Sequence, residues 1–383
     1  ATGAEVSTYF DALKTVLPKI SGINKPSTGN TPVTALTLSA AQYAQGGALM
    51  AKIGDYTATV TGANADYAQT LSADDHVTAL TVADDSRNIA RNIDDLEANT
   101  KVGGIVLDDV GVPLDITGAQ RAADARILGL IAGNWSMNVS AVAAEDAATV
   151  NNAAHVASFD VATSAAGVVG NLPALTGSAK LSSITLDDAG SALTLPADTL
   201  LSGDNLATVQ KIVNGYSLAV TAATMADLPD LAKIDNVNSI KIQDSSLHLS
   251  DQFDDLIDLG TQLQEVTIST PDVPLAMTYA QWMAGADVLS RIPDGGYMVD
   301  LFDVPAANSE SLAASDKVDE IHVSDYSYNI ASQWASLVDT AQLSSVTVLD
   351  NAPIGLTPEQ MGLAGSDALI GKIQGTHTVI ETE

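Results

Sequence analysis

Short apolar stretches with a strand-like pattern recur along this chain at a nearly constant interval. The segments VGGIVLDD, LSSITLDD, LQEVTIST and LSSVTVLD begin at positions 102, 181, 263 and 343, which are 79, 82 and 80 residues apart. A second series of strand-like segments runs in step with the first, and each of its members starts with valine. A third series starts with an aromatic residue, at Tyr56, Trp135, Tyr216 and Tyr297. Three series that keep one interval indicate an internal repeat of about 80 residues.

The spacing inside each repeat predicts alternating strands and helices. Strand starts are separated by 21, then 25 or 26, then 33 to 35 residues. Between the strands, apolar residues such as Ile89, Ile93 and Leu96 fall at i, i+4 and i+7, which is the stripe of an amphipathic helix. Parallel strands need crossover connections of this length, and these crossovers are right-handed. The pattern predicts a right-handed α/β solenoid that resembles a leucine-rich-repeat protein, with about thirteen coils and one continuous parallel sheet.

The repeats divide the chain into a single solenoid over residues 32–383, preceded by a different segment. The predicted units are 32–101, 102–180, 181–262, 263–342 and the partial unit 343–383. Residues 1–31 break the pattern but include the helical stretch STYFDALKTVLPKI, which predicts an N-terminal cap or a divergent repeat. The final THTVIETE is strand-like and no helix follows it. We therefore expect the chain to stop within a repeat, which favours end-to-end association or excision from a longer array.

Composition excludes several classes of function. The chain has 16 Lys and Arg against 47 Asp and Glu, a formal charge of -31, which argues against nucleic acid and anionic membranes as partners. The absence of Cys excludes disulfides, zinc-thiolate sites and thiol nucleophiles. No stretch approaches the roughly 18 uninterrupted apolar residues of a membrane span, so no membrane insertion is expected. Aromatic residues make up only 4% of the chain, so the core must consist of Ala, Val, Ile and Leu.

Acidic residues that follow the predicted strands form the first candidate site. A ladder of carboxylates could hold calcium, a hard cation with several oxygen ligands. Capping of helix N-termini is the favoured interpretation, because Thr163 and Thr270 take the place of Asp in two repeats, and Thr caps helices but replaces a carboxylate ligand poorly. The candidate calcium ligands are Asp84, Asp109, Asp188, Asp244, Asp325 and Asp350.

Aromatic residues form the second candidate site, a stacking surface for a sugar or another planar ligand. The candidate ligand-binding residues are Trp135, Tyr216, Tyr279 and Trp282. Aromatic residues in register at strand starts more often stack in the core or cover an edge. Tyr279 and Trp282 are the best support for a ligand site, because they add aromatic surface to one repeat only.

The sequence favours a protein that is not an enzyme. The five His residues do not converge in sequence, and His76 and His155 occupy a position where Asn236 and Lys317 stand in later repeats, as in an exposed turn. We find no Walker loop, GxGxxG, HExxH or GxSxG motif. A Ser-His-Asp site is recognised by its geometry, which sequence does not supply.

The repeats resemble those of very large, acidic, cysteine-free surface proteins and adhesins that Gram-negative bacteria secrete by the type I route. The ITLDD-type strands at 105–109 and 184–188, the LTL or LTP segments and the Ala/Gln-rich helices carry this resemblance. It covers nearly all of the chain from Pro32 onward. It implies a structural role outside the cell or at the bacterial cell surface.

These features lead to two hypotheses about function. The first is a structural or adhesive module of a secreted protein that self-associates through its solenoid ends into filaments or a surface layer. The alternative is a solenoid that binds a polysaccharide or a surface protein. A polysaccharide-modifying enzyme is less favoured, because an active site should disturb the repeat and only the STPDVP segment at 269–274 departs mildly from it.

Overall fold

A computed structural model describes residues 2–23 and 34–383 of the chain. Part of the predicted N-terminal cap, namely residues 1 and 24–31, lies outside the described residues. The strands of the first two repeats are β1 Thr34–Ser39, β2 Tyr56–Ala63, β3 Val77–Asp84, β4 Val102–Leu107, β5 Leu114–Thr117, β6 Met137–Val142, β7 Val156–Thr163 and β8 Leu181–Leu186. The later strands are β9 Ala192–Pro196, β10 Ser217–Ala223, β11 Val237–Asp244, β12 Leu263–Ile268, β13 Leu275–Thr278, β14 Val299–Val304, β15 Val318–Asp325, β16 Leu343–Val348, β17 Ile354–Leu356, β18 Ile373–Gln374 and β19 Val379–Glu381.

Short helices connect the strands. The α-helices of the first half are α1 Gly3–Thr8, α2 Phe10–Thr15, α3 Ala40–Gln45, α4 Gly47–Met50, α5 Ala65–Ser72, α6 Ser86–Arg91, α7 Ile93–Ala98, α8 Gly118–Ala123, α9 Ala125–Leu128, α10 Ala147–Asn152 and α11 Ala165–Thr176. Those of the second half are α12 Ala197–Leu201, α13 Asn205–Val209, α14 Leu228–Leu231, α15 Ser246–Asp251, α16 Phe253–Leu259, α17 Tyr279–Ala284, α18 Ala286–Leu289, α19 Ser309–Ala313, α20 Ser327–Ser332, α21 Trp334–Asp339, α22 Pro358–Met361 and α23 Ser366–Lys372. Single 3₁₀ turns occupy Leu17–Lys19, Ala144–Asp146, Met225–Asp227, Gly260–Gln262, Pro293–Gly295 and Ala306–Asn308.

All strand pairings among the described residues are parallel, which confirms the prediction of an α/β chain with parallel strands. The strands form the sheets β1-β2-β3-β4, β5-β6-β7-β8, β9-β10-β11-β12, β13-β14-β15-β16-β18 and β17-β19. The prediction of one continuous sheet is therefore wrong. Each sheet of four or five strands has the period of one repeat but is offset from the predicted units, since β4, β8, β12 and β16 each close a sheet although a predicted unit begins with them; below, a repeat means the residues of one such sheet and its helices.

The sheets separate because the chain is interrupted after the fourth strand of each repeat. Residues 108–113 form a turn between β4 and β5, and β5 starts the next sheet by pairing with β6. The segment before β6 still reaches back to the first sheet, since Ile131 forms a parallel bridge with Ile105. The segment from Ile131 through β6 thus contacts both sheets. The sequence predicted the 80-residue period. The hydrophobic pattern of the strands does not show that β4 and β5 belong to different sheets.

Contacts divide the described chain into two compact units. The first comprises Ala1–Ala189 and Ala207–Gly215, and the second comprises Gly190–Leu206 and Tyr216–Glu383. The sheets that start with β1 and β5 belong to the first unit, and the other sheets belong to the second.

The core lies between one face of each sheet and its helices. Strand residues alternate between buried and accessible, as in β1, where Leu36 and Leu38 are buried and Thr37 is exposed. One fully buried residue of the helical segment that packs against each sheet varies in size between repeats; it begins the second helix of a helix pair, except in the second repeat, where it lies within α11. These residues are Phe10, Ile93, Leu172, Phe253 and Trp334. A few large side chains therefore complete a core that is otherwise aliphatic.

The second strand of each repeat contains a bulge at the same point. The register with the third strand shifts there, and the residue at the shift has a positive φ. Glycine holds this position only in β2, as Gly62, while Ala141, Ala222 and Asp303 adopt the left-handed region with φ of 51°, 51° and 53°. Left-handed backbone is unfavourable for residues with a side chain, so the surrounding pairings impose this conformation in each repeat.

The N-terminal helices α1 and α2 correspond to the helix pair that follows the third strand in other repeats. The Ser7 hydroxyl accepts a hydrogen bond of 2.9 Å from the Thr37 N–H, and the Ser250 hydroxyl accepts one of 2.9 Å from the Ala276 N–H. Ser7 in α1 and Ser250 in α15 occupy the same position in their helices. The N-terminal cap or divergent repeat expected for residues 1–31 remains a prediction.

Candidate ligand-binding site

The acidic residues at the ends of the third strands bind backbone amides of the neighbouring coil. Asp84, Asp244 and Asp325 accept hydrogen bonds of 2.9 Å from the N–H groups of Ala65, Met225 and Ala306. Each amide lies 19 residues earlier, at the start of the helical segment that follows the second strand. The local caps are other residues, such as Asp85 and Ser245. Capping therefore links successive coils, which spacing along the chain did not reveal.

The residues at the ends of the fourth strands make the equivalent contacts with the helix after the third strand. Asp109, Asp188 and Asp350 accept hydrogen bonds from the N–H groups of Ser86, Ala165 and Ser327. Thr270 makes the same contact through its hydroxyl, which accepts a 2.9 Å bond from the Ser246 N–H. The exchange of Asp for Thr at this position thus preserves a hydrogen-bond acceptor.

These contacts lower the pKa of several of the carboxyls. The pKa of Asp84 and Asp244 lies below the usual value although burial acts in the opposite direction, because backbone N–H groups and Asn88 or His248 bind the charged form. Among the described residues, no three His, Asp or Glu side chains converge in a way that could hold a metal ion. Calcium binding by the six predicted carboxylates remains a prediction.

Loss of one cross-coil cap should destabilise the fold measurably. We expect Asp244→Ala to lower the free energy of unfolding by about 2 kcal/mol, because it leaves the buried Met225 N–H without its acceptor. The variant Asp272→Ala removes the same charge from an exposed turn and should change stability by less than about 0.5 kcal/mol. Urea unfolding of both variants measures the difference. Equal stabilities would show that the cap contributes nothing.

Two of the four aromatic residues at the starts of the second strands stack on side chains of the next coil. Tyr56 stacks on His76 and Trp135 on His155, with ring centroids 4.2 and 4.3 Å apart. Trp135 is 8% exposed, so this predicted ligand residue is occupied by an internal contact. Tyr216 is half-buried.

One aromatic pair instead borders an open pocket in the fourth repeat. Trp282 on α17 and Tyr297 just before β14 line a pocket of about 370 Å³, together with Met283, Ala286, Leu289 and Ser290. Tyr279, the other residue predicted from this helix, does not line it. The sequence indicated Trp282 but missed Tyr297 as its partner. Their separation of 15 positions spans the whole turn between α18 and β14, so periodicity gave no sign of the contact.

The pocket combines exposed apolar surface with a cation close to one of its aromatic rings. Met283 is 62% exposed, and the Lys317 ammonium lies 5.4 Å from the centre of the Tyr297 ring. Burial, followed by the nearby charge of Asp316, raises the pKa of Tyr297, so this phenol stays protonated and can donate a hydrogen bond. In the first repeat the position of Trp282 is held by Tyr43, which is buried and donates to Asp74. The open arrangement therefore distinguishes the fourth repeat from the first.

The comparisons with known proteins add no assignment. No family model matches the chain, and neither a curated protein nor a solved structure matches it. In the part of the chain that the structure describes, no helix has the length and apolar character needed to cross a membrane.

Proposed function

We propose that this chain is a structural and adhesive module of a secreted or cell-surface bacterial protein, built as a right-handed α/β solenoid. The observation that carries the proposal is the recurrence of the same contacts between coils in three of the four repeats. The third-strand carboxylates at Asp84, Asp244 and Asp325 bind the same amide of the neighbouring coil. Such repetition extends a surface and needs no catalysis.

The way in which sheets follow one another supports the solenoid. In the second unit, β12 and β13 belong to different sheets, yet the segment that leads into β14 contacts both. The Val266 N–H donates to the Arg291 carbonyl at 3.1 Å, and Leu275 pairs with Val299. Stacking thus continues across the break between these two sheets. The first unit has the same arrangement at Ile105 and Ile131.

Strand β19 provides a surface for self-association. The equivalent strands β6, β10 and β14 each pair with a strand on both sides. Within the described residues β19 pairs with β17 alone, and Ile380 is 44% exposed. An unpaired parallel edge with an apolar side chain is a template for another strand. We propose that it pairs with a second copy of this chain, so that copies assemble end to end.

Electron microscopy of concentrated protein tests this assembly. We expect filaments for the unmodified chain and single particles for Ile380→Lys, because a charged residue on the edge opposes strand pairing. Val110→Lys introduces the same charge at a residue that is 81% exposed in the turn after β4, and should still form filaments. Single particles in all three samples would contradict the proposal.

We propose that calcium ions favour this assembly. The formal charge of -31 makes copies repel one another, and divalent cations reduce such repulsion. The resemblance to secreted acidic repeat proteins supports the same setting outside the cell. No nucleic acid partner is expected for a surface of this charge.

A second candidate function is the binding of a polysaccharide, and the pocket at Trp282 and Tyr297 favours it. Sugar rings stack on aromatic side chains, and the pocket of about 370 Å³ is large enough to hold a sugar ring. The Tyr297 hydroxyl and Ser290 supply polar contacts at its rim.

Glycan-array screening tests the binding function. We expect Trp282→Ala to weaken a detected glycan signal by about tenfold or more, because it removes the larger stacking surface. Tyr279→Ala alters the same helix outside the pocket and should leave binding unchanged. The absence of any glycan signal, or equal loss in both variants, would contradict a polysaccharide site there.

A further inference from the structure

The accessible face of the sheet in the fourth repeat carries a side-chain cluster that the other repeats lack. His322 on β15 lies between Ser345 on β16 and Glu320 on its own strand. The Ser345 Oγ is 2.8 Å from His322 Nδ1, and Glu320 Oε2 is 3.4 Å from His322 Nε2. The ring of Phe302 stacks on the imidazole with centroids 4.3 Å apart and planes 2° apart.

The neighbours of His322 assign its tautomer. The Glu320 carboxylate, 3.4 Å from Nε2, favours the tautomer in which Nε2 carries the hydrogen, and the Nδ1 lone pair then accepts the Ser345 O–H. This is the arrangement of an activated nucleophile: a hydroxyl bonded to a base whose other nitrogen is oriented by a carboxylate. Phe302 adds a second constraint, because its ring fixes the plane of the imidazole.

Comparison between repeats shows that the cluster is not a property of the scaffold. His322 and Ser345 are register partners, as are Asp160 and Ser183 in the second repeat. The third repeat has Lys241 opposite Glu265 at this position, joined by an ion pair of 2.7 Å. The scaffold therefore brings whatever residues stand there into contact, and only the fourth repeat provides a serine with a basic partner.

We propose that Ser345 is a nucleophile that takes an acyl group from activated esters, with His322 as its general base and Glu320 as a positioning residue. Ser345 Oγ bonds to the acyl carbon while its proton passes to His322 Nδ1. The bond from the acyl carbon to the leaving oxygen then breaks, and that oxygen receives the proton from Nδ1. Water next attacks the acyl-serine, with His322 again taking a proton. The carboxylic acid leaves and the serine hydroxyl is restored.

The expected substrates are esters with good leaving groups, because a nucleophile and a general base are sufficient to transfer the acyl group from such esters. The partial exposure of Ser345 and the 22% exposure of the His322 side chain leave the pair open to a reagent. This inference does not depend on the proposed function. An acyl-accepting serine would add covalent chemistry to a structural module.

Labelling with a fluorophosphonate probe, followed by peptide mass spectrometry, tests the inference. We expect one adduct per chain at Ser345, its absence in Ser345→Ala, and a labelling rate about 100-fold lower in His322→Gln. Ser183→Ala is the matched control, because Ser183 has the equivalent position and partial exposure opposite Asp160. It should label like the unmodified chain.

Release of p-nitrophenol from p-nitrophenyl acetate provides a second readout. It should fall in Ser345→Ala and stay unchanged in Ser183→Ala. Glu320→Gln should lower the rate about tenfold and Glu320→Asp should restore part of it, with circular dichroism unchanged in both. Absence of an adduct at Ser345 in the unmodified chain, or equal labelling in His322→Gln, would overturn the inference.

Discussion

Replacement of Trp334 by alanine should lower the free energy of unfolding by about 3–5 kcal/mol, the largest effect that we expect from a single side chain. Trp334 is fully buried, and its Nε1–H donates a 3.0 Å hydrogen bond to the Ser366 hydroxyl. That hydroxyl in turn donates to the Gln360 carbonyl at 2.7 Å. The substitution therefore opens a cavity between α21 and α23 and removes one partner of a buried polar chain.

Two variants separate these contributions. Trp334→Phe keeps most of the buried surface and loses the indole hydrogen bond, so it should cost about 1–2 kcal/mol. Trp282→Ala removes the same side chain from the surface of the pocket and should cost less than about 1 kcal/mol. Urea unfolding monitored by circular dichroism measures all three. A cost below 1 kcal/mol for Trp334→Ala would show that this helix layer is not part of the cooperative core.

The second large effect concerns Asp124 and depends on pH. The residue is 3% exposed, and Oδ2 is buried without a hydrogen-bond partner. Burial, followed by contact with Asp94 and the charge of Glu97, raises the pKa of Asp124 to about 6. A carboxyl whose pKa is higher in the folded state destabilises the fold once it is ionised. We expect Asp124→Asn to be about 2–3 kcal/mol more stable than the unmodified chain at pH 7.5.

The advantage of Asp124→Asn should shrink as pH falls through 6 and become small near pH 4, where Asp124 is protonated in the fold and about half protonated in the unfolded chain. Asp95→Asn removes the same charge from an exposed position and should show no such dependence. Thermal unfolding between pH 4 and pH 8 measures both variants. A difference that is independent of pH would contradict the assignment of the raised pKa.

The carboxylates that bind amides of a neighbouring coil stabilise the fold when they are ionised, which is the opposite of the effect of Asp124. The pKa values of Asp84, Asp244 and Asp350 are lowered in the fold. Their stabilisation is present above the pKa of the unfolded carboxyl, about 4, and is lost as pH falls through the lower folded values. As pH falls, Asp124 and these carboxylates therefore change stability in opposite directions.

The sequence predicted the period and the local elements because each repeat preserves the alternation of its strands and the stripe of its helices. It did not predict where one sheet ends and the next begins. The strand patterns of β4 and β5 are the same whether the two strands belong to one sheet or to two. The partners of Asp84 and Asp109 also escaped detection, because each lies 19 or 23 residues earlier, on another coil.

The candidate sites show the same limit. Trp282 stood out because it adds aromatic surface to one repeat only, whereas Tyr297 belongs to a series in which Tyr56 and Trp135 stack internally. The five His residues suggested no convergence, yet stacking of coils brings His322 against Ser345, 23 positions away. Alignment of the repeats in register would have identified this pair as a departure from its equivalents.

The central claim, that this chain is a self-assembling structural module, is tested most directly by its mass in solution. Light scattering over a concentration series, with millimolar calcium and with chelator, measures that mass. We predict species that grow with concentration, more strongly with calcium, and that Ile380→Lys prevents this growth. A constant mass of one chain under both conditions would contradict the claim.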